Sequence, residues 1–118
     1  DITALLSLAD ELQDESRRAE AWVRQALVAQ RSGDYRGSLQ ASEQALAAAE
    51  RAGNAHIRLR AIGRKVFALS RLGQGQAAQQ LVEDMVAQAR ALGDDTSLSE
   101  ALGSAATFWS KSGDQARG

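Results

Sequence analysis

Apolar residues recur at steps of three and four along most of the chain, with arginine, glutamine and glutamate between them. In one stretch they are Ala21, Trp22, Leu27 and Ala29; in the next, Leu39, Ala45, Leu46 and Ala49, with Ser42 in the same register. That spacing lines up one face of an α-helix and fits no strand. Polar turns separate the stretches. The tripeptide at 32–34 (SGD) and the tetrapeptide at 93–96 (GDDT) each offer a glycine able to take positive φ after one helix and an Asp or Thr able to cap the next. Ser97 and Glu100 stand in capping-box spacing ahead of Ala101 and Leu102. The pattern predicts an all-α chain of six helices, over 2–13, 16–32, 36–52, 56–72, 76–92 and 97–112.

The helices form a series. Gly33, Gly73 and Gly113 lie 40 residues apart, as do Gly53 and Gly93; Ala21, Ala61 and Ala101 keep the same step, and so do Trp22, Ile62 and Leu102. Asp14, Asn54 and Asp94 mark equivalent turns. A self-similarity of this length signals a solenoid, here with one helical hairpin per period. The expected organisation is a single domain over 1–118, divided into a half repeat at 1–13, repeats at 16–53 and 56–93, and a half repeat at 96–118. Both ends fall inside a repeat, so the chain reads as a fragment of a longer array. Cut arrays expose apolar ends, and Phe108 and Trp109 near such an end are expected to be sealed by self-association, as in a homodimer.

Alanine dominates the predicted inner faces. Ala26, Ala41, Ala45, Ala48, Ala49, Ala78 and Ala89 would let helices approach closely, while Trp22, Leu39, Leu46, Ile62, Leu69 and Leu81 would supply much of the buried area, at about 25 cal/mol per Å². Ala45 in particular should tolerate no bulk.

Composition then excludes several function classes. With 14 basic and 15 acidic residues among 118, the net charge of −1 gives no general attraction to nucleic acid or to an anionic membrane. The chain has no cysteine, which removes disulfides and thiolate chemistry and fits a cytoplasmic setting. No run approaches the roughly 20 apolar residues that span a bilayer. Catalytic candidates are sparse. His56 is the sole histidine and reads as a helix-start residue, with no triad around it. Asp94, Asp95, Glu83 and Asp84 match no calcium loop. The glycines of 72–76 (LGQGQ) lack the Lys-Ser/Thr ending of a phosphate loop. The expectation is a non-enzyme with no metal and no cofactor. Gly63 and Gly103, again 40 residues apart, stand inside helices, where glycine costs about 1 kcal/mol relative to alanine. They mark either a close helix approach or room for a ligand backbone.

The residues Trp22, Ala26, Ala29, Gly33-Asp34-Tyr35, Ser38 and Ala45 resemble the tetratricopeptide repeat, with its large, small and large positions, its Gly-Asp-Tyr turn and its small second-helix residues. Ile62, Val66, Leu69, Gly73, Ala78 and Met85 repeat the set, and Leu102, Ala106, Trp109 and Gly113 begin it a third time. The chain departs from the family in its longer period, its lack of the closing proline, and Gln25 and Lys65 in place of leucine. The longer period resembles arrays in large bacterial signal-transduction regulators, such as ATP-dependent LuxR-type activators and some adenylate cyclases. The resemblance implies a right-handed superhelix whose first helices line a concave groove. Carried over, that wall comprises Glu20, Val23, Arg24, Leu27, Gln30 and Arg31, then Arg60, Gly63, Arg64, Phe67, Ser70 and Arg71, then Glu100, Gly103, Ser104, Thr107, Ser110 and Lys111. Arg24, Leu27, Arg31, Arg60, Arg64, Phe67, Arg71 and Lys111 are its candidate binding residues, suited to an acidic peptide with apolar anchors. A solvated arginine face is the plain alternative. The implied role is a protein-interaction scaffold within a transcription or signalling regulator; self-assembly and small-molecule sensing are the competing roles.

Overall fold

A computed structural model describes the backbone of residues 2–93, 95–96, 98–103 and 105–106, and the side chains there except those of 2–10 and 12. Lys111, Trp109 and Gly113 lie outside the described residues. Four helices run in order: α1 (Ile2–Arg31), α2 (Tyr35–Ala52), α3 (Ala55–Arg71) and α4 (Gly75–Leu92). Further helical residues follow within 95–106, and no strand occurs among the described residues. Each helix packs on its neighbour in the chain, and α1 also touches α3. No helix is long and apolar enough to cross a membrane among the described residues.

The 40-residue repeat reaches the backbone dihedrals. Gly33 and Gly73 both have φ of 82°, and Gly53 and Gly93 have 66° and 67°. This left-handed region is open to glycine at little cost and strained for other residues. At the first turn the Asp34 N–H donates to the Ala29 carbonyl at 2.9 Å and the Gly33 N–H to that of Gln30 at 3.2 Å, so two carbonyls at the end of α1 find partners. Gln74 and Gly73 repeat this on Leu69 and Ser70, at 2.9 and 3.3 Å. The next helices are capped by side chains: Asp34 accepts the Gly37 N–H at 2.9 Å, and Asn54 accepts that of Ile57 at 3.1 Å. Gln74, the repeat equivalent of Asp34, makes no such bond.

One expected turn is missing. Helices foreseen at 2–13 and 16–32 are a single 30-residue helix, α1. The reason lies one residue before Asp14: Gln13 occupies the position held by Gly53 and Gly93 in the later repeats, and without a residue at ease in the left-handed region the chain continues as helix. Intrahelical ion pairs span the site, Arg17 to Asp14 at 3.8 Å and Arg18 to Glu15 at 3.1 Å. Glu15 also receives Arg51 of α2 at 3.0 Å. At such exposure each pair contributes only tenths of a kcal/mol, on the order of 0.5.

The core falls into two clusters of unequal bulk. The first joins Ala19 and Val23 of α1, Ala45, Ala48 and Ala49 of α2, and Ile57 and Ala61 of α3. The second joins Leu59, Ile62, Val66 and Leu69 of α3 to Ala78, Val82, Met85 and Ala89 of α4, and to Ala101 and Ala105 beyond. Across the period, Ala19, Ala26, Ala29 and Ala45 become Leu59, Val66, Leu69 and Met85. The α1–α2 hairpin is therefore the alanine-packed one. Its helices come close enough for the buried Ser38 hydroxyl to donate to the Ala26 carbonyl across the interface at 2.9 Å. Ser42 turns its hydroxyl to the Leu39 carbonyl of its own helix at 2.8 Å.

Trp22 does not supply core area as expected. It is 40% exposed, like Leu102, whereas their equivalent Ile62 is 3% exposed. Ile62 lies on the helix flanked by both α2 and α4. Trp22 has α2 on one side only, because the segment expected on its other side continues straight as α1. Ala21 tells the same story: it is exposed, while Ala61 and Ala101, each following a packed second helix, are 0% and 3% exposed.

Candidate functional site

Direct packing of α1 on α3 brings the first two of the three parts of the expected wall side by side. The Arg64 Nη1 donates to Gln30 Oε1 at 3.3 Å, linking the two helices. Partial burial, followed by the neighbouring Arg60 and Arg31 guanidinium groups, holds the Arg64 pKa below its ordinary value. Three predicted wall residues therefore form one cationic cluster. Among the described residues, none of Arg31, Arg60, Arg64 and Arg71 forms an ion pair with a carboxylate.

A second group adjoins the end of α3. The Arg71 guanidinium lies 5.2 Å from the centre of the Phe67 ring and 5.9 Å from that of Tyr35. The two rings stand 6.2 Å apart at 49°. Cations near aromatic faces are held by the ring quadrupole, so one guanidinium is shared between two tilted rings. Tyr35 was legible only as a turn residue. The signal that could have singled it out is its departure from the repeat, since the equivalent position is Gly75.

Not every expected wall residue belongs to it. Val23 is 5% exposed and packs in the first core cluster, because it faces α2 and α3. Leu27 is half-buried and Arg24 is exposed on α1. Gly63 is half-buried within α3. A Cβ placed on Gly103 would meet no atom within 4 Å among the described residues. Lys111 lies outside the described residues. Of the other repeat positions, Ala26, Ala45, Ile62 and Ala78 are buried.

Elsewhere, a shallow depression of about 440 Å³ lies between α2, α3 and α4, with Leu39, Leu69 and Leu81 along it and Glu43 and Lys65 at its edge. His56 is exposed in the first turn of α3. No group of three or more His, Cys, Asp or Glu that could hold a metal ion occurs among the described residues. No protein-family model matches the chain, and no curated protein or solved structure matches it either.

Proposed function

We propose that the chain is a non-catalytic interaction module, a solenoid of tetratricopeptide type within a larger cytoplasmic regulatory protein, and that the α1–α3 wall binds an acidic peptide segment carrying an apolar side chain. The observation that carries the reading is the pair of adjoining groups on that wall. Arg31, Arg60 and Arg64 crowd together, none of them in an ion pair with a carboxylate among the described residues, and Arg71 lies against Phe67 and Tyr35. A like-charged cluster is unfavourable in the free protein and is relieved when carboxylates arrive, so charge complementarity selects an anionic ligand. Guanidinium forks grip carboxylates in pairs of hydrogen bonds. The half-buried Phe67, with Tyr35 beside it, gives an apolar side chain somewhere to lie.

The test is capture of a Glu- and Asp-rich peptide containing one Leu or Phe. Charge reversal at Arg24, Arg64 and Arg71 to Glu abolishes capture while helical content and the unfolding midpoint stay close to those of the parent. Arg36→Glu, on the exposed surface of α2, leaves capture unchanged. Binding weakens steeply with added salt, since the wall is only partly shielded from solvent. Capture that survives the triple reversal removes the proposal.

A further inference from the structure

We propose that two copies of the chain associate by exchanging the first turns of α1, so that residues 2–12 of one copy cover the exposed Ala21–Trp22 face of the other. In the next repeat this face belongs to Ala61, which packs on α2 beyond the turn at Gly53, and to Ile62, which packs in the second core cluster between α2 and α4; one repeat further on, Ala101 is buried and Leu102 is 40% exposed. Ala61 is 0% and Ile62 3% exposed there. Residues 2–12 carry the register of that covering helix. Ile2, Leu5 and Ala9 stand at the positions of Ser42, Ala45 and Ala49, and of Val82, Met85 and Ala89, all six of which are buried. The chain thus contains both the uncovered face and a segment with the matching pattern, yet it cannot join them internally. With Gln13 in place of glycine, α1 runs straight through and carries residues 2–12 away from Trp22.

Charge points to the same occupant. Glu50 of α2 accepts from Arg58 of α3 at 3.4 Å beside the Gly53 turn. One period earlier those positions are Asp10 and Arg18. A second copy laid antiparallel on α1 brings its Asp10 opposite Arg18, and the two-fold relation repeats the contact on the other side. An interface of this kind is self-complementary and closed, the usual form of a dimer made by exchanging an element across a hinge. The inference uses none of the cationic wall and stands apart from the peptide-binding proposal.

The experiment measures mass in solution by light scattering, together with disulfide trapping in the otherwise cysteine-free chain. Leu5→Cys and Ala21→Cys are introduced together, at the equivalents of Ala45 and Ala61, which share a core cluster. On one straight helix these positions are about 24 Å apart, beyond the reach of a disulfide. The expected result is a dimer that oxidises to a covalent dimer. Gln13→Gly, which restores the residue of the later turns, shifts the chain to monomer and makes the disulfide intrachain, with circular dichroism showing helical content retained. A chain that is monomeric at every concentration overturns the proposal. So does an intrachain disulfide with Gln13 in place, a dimer in which the cysteines fail to join the two copies, or a dimer that Gln13→Gly leaves intact.

Discussion

Met85 offers the sharpest test of the packing described here. It is 1% exposed in the second core cluster. Truncation to alanine removes three heavy atoms, worth roughly 2 kcal/mol in transfer free energy alone. The rest depends on whether α3 and α4 can close over the gap. In the first hairpin the equivalent residue is Ala45, and the helices there do lie close, because Ala19, Ala26 and Ala29 oppose it along α1. In the second, Leu59, Val66 and Leu69 occupy those positions and prop the helices apart. A cavity should therefore persist, placing the cost of Met85→Ala near the middle of the range for buried large-to-small changes, about 3 kcal/mol. Against a total stability on the order of 5–15 kcal/mol, that loss is large. In urea, with a slope of about 1–3 kcal/mol per M, the midpoint should fall by roughly 1–3 M. Equilibrium unfolding followed by far-ultraviolet circular dichroism measures it. A midpoint shift below about 0.3 M with an unchanged slope would refute the placement of α4 on α3.

The reverse substitution should also be costly. Ala45→Met forces a long side chain between α1 and α2 at a fully buried site, destabilising the fold by about 1–3 kcal/mol, again read from the urea midpoint. A gain is expected at the start of α4, where Gln74 caps nothing. Gln74→Ser supplies an acceptor for a free N–H at the helix start and should stabilise by about 0.5–1 kcal/mol, raising the thermal midpoint by a few degrees. Serine suits this position better than aspartate. At the equivalent turn a Cβ on Gly37 would come within 2.2 Å of Asp34 Oδ2, and the residue at that place after Gln74 is Ala77. A lower melting temperature for Gln74→Ser would show that the backbone there does not present its N–H to a cap.

Much of this architecture was legible before any coordinates. Spacings of three and four predicted α2, α3 and α4 to within a residue or so, because a helix must keep its apolar positions on one side whatever it packs against. Gly33, Gly53, Gly73 and Gly93 marked the reversals, since the left-handed backbone required there disfavours residues with a Cβ. The candidate wall was legible in part. Arg60 and Arg64 form one helical stripe by spacing alone, and Phe67 and Arg71 continue it.

What the sequence by itself determined, then, is the kind of element, most of its ends, and the residues that face one way along it. Those are local properties, set by side-chain period and backbone preference. Tertiary structure decided the rest, because the remainder depends on which surface arrives opposite. Trp22 and Ile62 share a register, yet one is exposed and the other buried, since α3 packs between α2 and α4 while α1 has no helix before it in the chain. Val23 left the wall for the core through the same geometry. Tyr35 joined Phe67 and Arg71 although the repeat has no counterpart for it. The proximity of Arg31 to Arg64 came from α1 packing directly on α3, a contact between residues more than 30 positions apart that no local pattern encodes.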